Sequence, residues 1–334
     1  MKQHIDILNT VLIIVSLALA YIFPFELFLI VYAILGPLHY LTEINWIRDK
    51  SYFVKNKNWA YLALGCALII ALPAIFKLSW FESSTNAVLS FLREELPKIT
   101  NGFIFMALVM AYVFLFIPNK KVRYIVIGIS IVLAIVAKNL SVYNIWIGIF
   151  LPTIIHVYVF TLLFMWYGNL KTHHKIGYLN VALLAAVPII ISIIGVSSGD
   201  YEFSNTVKET IVGNRFHVLN ANISKLLGLT DGTTFFFYEV IDLKIQMMIA
   251  FAYTYHYLNW FSKTTVIGWH KKLTTKKSLV IVILWIISVL LYVYDYKTGL
   301  ALLLMLSLIH VFLEFPLNIL SVKSIYNYYF KSSS

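Results

Sequence analysis

Four histidines lie inside long apolar stretches of the chain, where an ionisable side chain is costly. They are His39, His156, His256 and His310. A charged group at the centre of a membrane helix costs about 2.5–3.5 kcal/mol on insertion scales, so such residues indicate function. Neutral imidazole is a common ligand of iron, copper and zinc, and a set rich in histidine favours Fe(II) with positions open to O₂ and a substrate. We therefore predict that the four histidines share a metal or haem site.

Carboxyl and amide groups accompany three of these histidines at helical spacing. Glu43 follows His39 by four residues, and Glu314 follows His310 by four. Asn259 follows His256 by three. Residues at these spacings share a helix face, so each group can accept the second ring N–H of a ligand histidine or ligate the same ion.

The composition excludes a water-soluble globule. Of 334 residues, 60% are hydrophobic and only 12% are charged, and the mean hydropathy is +0.83, whereas soluble domains carry about 25% charged residues. The net charge of +11 comes mostly from short connections between apolar segments, which indicates contact with lipid headgroups rather than with nucleic acid. The single cysteine, Cys66, excludes an intramolecular disulfide and a thiolate metal cluster.

About ten segments have the roughly 20 apolar residues that a membrane-spanning helix needs. They cover residues 5–23, 24–46, 59–77, 101–117, 122–138, 145–168, 177–197, 241–262, 278–294 and 298–320. The pattern predicts an all-α, polytopic helical bundle that forms one transmembrane domain over residues 1–334. Most Lys and Arg residues fall in alternate connections, which predicts cytoplasmic N and C termini.

The first span raises a separate question, because Lys2 and the triplet Ala18-Leu19-Ala20 resemble a signal peptide with its cleavage site. We expect a retained helix, since Phe23-Pro24 turns directly into the second span.

Two of the predicted outer connections are long. Residues 78–100 carry Ser83-Ser84-Thr85 ahead of an apolar stretch, which predicts a capped helix at the membrane interface. Residues 198–240 are predicted to form an outer loop. The remaining histidines of the connections are expected to be solvated. They are His173, His174, His217 and His270.

All four span histidines lie on even-numbered spans, which run in the same direction. Counted to the next cytoplasmic charge at 1.5 Å per residue, their depths differ by roughly 12 Å. The four side chains can therefore meet in the cytoplasmic half of the membrane. Aromatic residues beside them can line a tunnel for an apolar chain, although simple packing explains each one equally well. These tunnel candidates are Tyr40, Tyr158, Tyr253 and Trp260.

The segment Gly36-Pro37-Leu38-His39, the isolated histidines of later spans and the all-helical layout resemble the bacterial Brp/Blh family of membrane β-carotene 15,15′-dioxygenases. The resemblance implies a non-haem Fe(II) held by the four histidines, and cleavage of β-carotene or a similar apolar lipid by O₂ to give retinal. That family also carries a second acidic motif and a His-x-x-x-His pair. Here Trp260 stands four residues after His256, so the fourth ligand would come from another helix.

Three other functions are compatible with the same residues. Paired histidines on facing helices are axial ligands of haem b in membrane cytochromes. Histidine and glutamate can also form the proton relay of a transporter, although the sequence shows no inverted repeat. A structural scaffold is the third alternative. The number of metal ions and the oligomeric state are left open by the sequence.

Overall fold

The protein is described by a computed structural model, which covers residues 2–56, 58–82 and 86–330. These residues form helices, turns and loops and contain no β-strand, which confirms the all-α prediction. The chain divides into two compact units. The first consists of Met1–Gly36 and Ile154–His270, and the second of Pro37–Thr153 and Lys271–Ser334.

The helices vary from single turns to a helix of 35 residues. In chain order they are α1 (Lys2–Ile22), α2 (Pro24–Asp49), α3 (Asn58–Phe76), α4 (Ser79–Glu82), α5 (Ala87–Glu94), α6 (Thr100–Phe116), α7 (Lys120–Ala137), α8 (Ser141–Tyr143), a π-helical segment (Asn144–Phe160), α9 (Thr161–Thr172), α10 (Lys175–Ile193), α11 (Asn205–Gly213), α12 (His217–Leu226), α13 (Val240–Ser262), α14 (Thr264–Ile267), α15 (Thr275–Tyr294) and α16 (Tyr296–Phe330). Short 3₁₀ turns lie at Ser51–Phe53, Leu96–Ile99, Ser198–Asp200 and Trp269–Lys272.

Eight helices within the described ranges are long and apolar enough to cross a membrane. Each of the ten predicted spans coincides with a helix, but α7 and α13 are not among the eight. α7 opens with Lys120, Lys121 and Arg123, and α13 carries many polar residues along its length. The membrane character of the protein is thus evident from its apolar helices, while the number of crossings remains a prediction.

The first unit is organised around α13. α1, α10 and α12 pack against this helix, whose residues are buried on all sides, as expected for a central helix. Polar groups between the helices are paired: Gln246 donates to the Pro24 carbonyl at 3.1 Å, and Thr10 donates to Asn180 Oδ1 at 2.6 Å. Such bonds between membrane helices fix which faces meet.

The second unit is organised around α16. α3, α6 and α15 pack against it, and α6 also packs against α3 and α7. Gly299 allows the start of α16 to approach α15 closely, because a Cβ atom there would lie 2.7 Å from the Tyr292 ring. Asn101 Nδ2 donates to Asn144 Oδ1 at 2.8 Å and links α6 to the start of the π-helical segment.

The two long connections contain more helix than the sequence indicated. Residues 198–240, expected as a loop, include α11 and α12. The aromatic residues of this segment contact Phe25 at the start of α2, with Phe203 at 4.8 Å and Phe237 at 5.0 Å between ring centroids. In residues 78–100, α5 is the predicted amphipathic helix. Its N-cap is Asn86, which accepts from the backbone N–H of Val88 and Leu89, whereas the expected cap residues, 83–85, lie outside the described residues.

Candidate metal centre

In the second unit, α2 and α16 bring His39 and His310 together. Their ring centroids are 5.3 Å apart with the rings nearly perpendicular, and both side chains are buried. Tyr40 stacks on the His310 ring at 4.2 Å and limits its rotation. Pro37 lies two residues before His39 in α2. Because proline has no backbone N–H, the helix lacks one hydrogen bond at the turn that carries His39.

Glu43 lies beside His39, as its spacing of four residues predicted. Its Oε2 is 3.1 Å from His39 Nε2, and both groups are buried. The approach does not have hydrogen-bond geometry, because Glu43 Oε2 has no hydrogen-bond partner within the described residues. Glu43 therefore places a buried acidic group against the His39 ring without fixing which ring nitrogen carries the proton.

A backbone carbonyl fixes the tautomer of His310. Its Nδ1 is hydrogen-bonded to the backbone carbonyl of Ser307, one turn earlier on α16. A carbonyl oxygen cannot donate, so Nδ1 holds the proton and Nε2 carries the lone pair. His310 thus offers Nε2 as a ligand.

A second carboxyl group belongs to the same cluster. Glu314 is buried one turn after His310 and interacts electrostatically with Glu43. Two neighbouring acidic groups in so apolar a place are stabilised when a cation or a shared proton lies with them. The second unit therefore places two buried carboxyl groups one turn after its two buried histidines, and imidazole and carboxylate are both ligands that suit iron.

The other two histidines form a pair within the first unit. The centroids of His156 and His256 are 5.1 Å apart at an interplanar angle of 65°, and both are buried. His156 lies in the π-helical segment, four residues after Pro152 and three after Thr153, whose φ and ψ of −116° and −105° mark a kink. Short π-helical stretches in membrane and soluble helices often occur at functional sites.

Thr161 orients the ring of His256. The Thr161 hydroxyl lies 2.8 Å from the carbonyl oxygen of Val157 and 2.8 Å from His256 Nδ1. Its single proton serves one of these two acceptors. When the proton goes to the Val157 carbonyl, Nδ1 of His256 is the donor to Thr161, and the Nε2 lone pair of His256 is available as a ligand.

The spacing of each pair distinguishes two kinds of iron site. With metal–nitrogen bonds of about 2 Å, axial histidines on opposite faces of a haem have ring centroids about 6 Å apart. Adjacent ligands of a mononuclear ion have centroids about 4.5–5.5 Å apart by the same geometry. The observed 5.3 Å and 5.1 Å agree with adjacent ligands of one ion. The residues present therefore fit a non-haem ion.

Other predicted site residues are engaged in packing. The Tyr158 hydroxyl donates to the Leu184 carbonyl at 2.6 Å, and Trp260 stacks on Trp269 at 6.2 Å. Tyr253 is buried against Phe28 at 5.1 Å. These contacts explain why the residues are aromatic, and the substrate tunnel stays a prediction.

Two orienting groups were not identified from sequence. Thr161 lies 95 residues from His256, and Ser307 contributes only a backbone carbonyl, so neither leaves a local motif. Asn259 was the expected partner of His256, but its Oδ1 is buried and has no hydrogen-bond partner within the described residues, so it does not accept a ring N–H of His256.

The remaining histidines lie outside these pairs. His173 is exposed at the end of α9, and His270 is exposed and bonded to the Thr264 carbonyl. His174 is 3.0 Å from Asp6 and is half-buried rather than fully solvated. His217 is also half-buried, at the start of α12.

Comparison with known proteins adds no further assignment. No protein-family model, no curated protein and no solved structure matches this chain. The interpretation of the histidine pairs therefore depends on their own chemistry.

Proposed function

We propose that the protein is an intramembrane non-haem iron oxygenase that acts on an apolar lipid, specifically a carotenoid such as β-carotene. The observation that carries this proposal is the buried pair of His39 and His310, with ring centroids at 5.3 Å and with Glu43 on His39. In this proposal His39 and His310, the latter through Nε2, hold Fe(II), and Glu43 and Glu314 are additional ligands or orient the ligand imidazoles. The expectation that His156 and His256 complete the ligand set stays a prediction.

When bound, Fe(II) would supply the redox chemistry that O₂ needs to attack a carbon–carbon double bond. The chain's own residues do the rest. Glu43 places an acidic group beside the His39 ring, and the Ser307 carbonyl keeps the proton of His310 on Nδ1. Tyr40 holds the His310 ring in place by stacking. Burial excludes water, which would otherwise compete for the ion.

The substrate assignment follows from the surroundings and from the family resemblance. The helices that carry the site are apolar and are surrounded by lipid, so a substrate that dissolves in the bilayer reaches them most readily. Oxidative cleavage of the central double bond of β-carotene by one O₂ gives two molecules of retinal, with both oxygen atoms accounted for. No proton or external electron is consumed in that overall reaction.

Purified protein loaded with Fe(II) and mixed with β-carotene in detergent tests the proposal. We expect retinal to form in air and not under argon. His310→Ala should abolish retinal formation, and His173→Ala should not, because His173 is exposed and lies outside both pairs. Equal loss of activity in the two variants, or the absence of any oxygenated product from wild-type protein, would overturn the proposal.

The finer membrane assignment is also proposed. Ten spans and cytoplasmic termini are supported by the distribution of Lys and Arg, and a bacterial inner membrane is what the family resemblance implies. In a Cys66→Ser background, single cysteines at Lys171 and Lys208 should react with an impermeant thiol reagent from opposite sides of the membrane. Labelling of both from the same side would contradict the topology.

A further inference from the structure

A buried carboxylate outside the histidine pairs has no partner for one of its oxygens. Asp242 lies in the first turn of α13 and is 4% exposed. Its Oδ2 accepts from the backbone N–H of Phe236 at 2.7 Å. Its Oδ1 is buried and has no hydrogen-bond partner among the residues that the structure describes.

Asn220 presents a second oxygen of the same kind at this place. It lies on α12, is fully buried, and its Nδ2 donates to the backbone carbonyl of Asp242 at 2.8 Å. That bond fixes the amide beside Asp242. Because Nδ2 is used, the group that remains is Oδ1, which also has no hydrogen-bond partner in residues 86–330. Two buried acceptors without donors therefore lie at the contact of α12 with α13.

The charges nearby do not compensate Asp242. Within the described ranges Asp242 forms no ion pair, and Glu239 adds a second negative charge close by. The cation nearest to Asp242 in the chain, Lys244, is directed elsewhere, since it donates to the Ser192 carbonyl at 2.7 Å.

Buried oxygen acceptors that lack both a donor and a counter-charge can be satisfied by a cation. A carboxylate oxygen together with an amide oxygen is the donor set of Ca²⁺, which takes only oxygen ligands in flexible geometry and completes its shell with backbone carbonyls and water. Because the donors are few, we expect an affinity like that of extracellular calcium modules, with a Kd of about 10⁻⁴–10⁻³ M. The predicted topology places this segment on the outer side of the membrane.

We propose that Oδ1 of Asp242 and Oδ1 of Asn220 bind a Ca²⁺ ion, which holds α12 against the first turn of α13. This site is separate from the histidines, and its occupancy does not depend on iron. Its function is structural, since it lies in the segment whose aromatic residues cover Phe25.

The test is a calcium titration of protein dialysed into calcium-free buffer, followed by thermal unfolding and equilibrium dialysis. We expect one Ca²⁺ per chain and a Tm that rises by a few degrees at about ten times Kd. In Asp242→Asn the rise should disappear. Without calcium this variant should be at least as stable as wild type, because it removes a buried charge that has no counter-ion.

Asp231→Asn is the matched control, because Asp231 is an exposed acidic residue of the same segment and binds its own Thr233. This control should keep the calcium response. Failure of wild-type protein to bind calcium in dialysis, or an equal Tm rise in wild type and Asp242→Asn, would overturn the proposal. A rise with Zn²⁺ but not with Ca²⁺ would also overturn it. The dialysis result on wild type decides the matter even if Asp242→Asn does not fold.

Discussion

Replacement of Glu43 tests directly how the proposed iron ligands are oriented. In the structure, Glu43 Oε2 lies 3.1 Å from His39 Nε2, and both side chains are buried. Loss of an acidic group beside a ligand histidine typically weakens metal binding 10- to 100-fold, or about 1.4–2.7 kcal/mol. The amide of Glu43→Gln keeps a polar group at this place, whereas the side chain of Glu43→Leu does not. We therefore expect Glu43→Gln to weaken iron binding about tenfold and Glu43→Leu about a hundredfold.

The assay is iron retention by purified protein against a series of chelators of increasing strength. Glu26→Gln is the matched control, because Glu26 lies at the start of the same helix and its replacement removes one carboxylate without touching His39. This control should retain iron as wild type does. Unchanged retention in Glu43→Leu, or an equal loss in Glu26→Gln, would refute the argument that Glu43 supports His39 as an iron ligand.

Three further predictions concern groups around the site and at the end of α13. Thr161→Val removes the hydroxyl beside His256 Nδ1 and should reduce iron retention about tenfold if His256 is a ligand; Thr161→Ser should not, and equal retention in both would remove His256 from the ligand set. Tyr40→Leu removes the ring stacked on His310 and should cost about 1 kcal/mol of stability, seen as a lower Tm in detergent; Tyr40→Phe keeps the ring and should lower Tm less, and an equally low Tm in both variants would exclude stacking as the cause. Burial lowers the pKa of Lys263 from 10.5 to about 8, although Asp6 acts in the opposite direction. Below pH 8 Lys263 is charged in both the folded and the unfolded protein, so burying its charge lowers the free energy of unfolding by the full amount. This loss of stability disappears as pH rises towards 10.5, because the side chain becomes neutral in both states. Lys263→Met should therefore be more stable than wild type at pH 7, and the difference in Tm should shrink by pH 10; a difference that does not vary with pH would contradict this.

The sequence was sufficient for much of the fold. Runs of apolar residues predicted every long helix, because burial in lipid demands about 20 such residues whatever the tertiary contacts are. The connections were predicted less well. Residues 198–240 contain α11 and α12, whose short amphipathic patterns are weak signals, and the contact of Phe203 with Phe25 joins residues far apart in the chain.

For the site, the sequence predicted what a single helix determines. The spacing of His39 and Glu43 placed both on one face of α2, and the structure gives their contact at 3.1 Å. It could not predict that His39 lies beside His310, since that pairing depends on how α2 and α16 pack. Nor could it predict Thr161 as the partner of His256, because such a hydrogen bond has no sequence spacing that identifies it.

The central claim is that buried histidines hold non-haem iron, and the most direct test is metal analysis with an absorbance spectrum of detergent-purified protein. We predict one iron per chain, no Soret band, and loss of that iron in His310→Ala but not in the exposed-site variant His173→Ala. A Soret band would contradict the non-haem assignment. Wild-type protein that takes up no iron after incubation with Fe(II) would contradict the claim altogether.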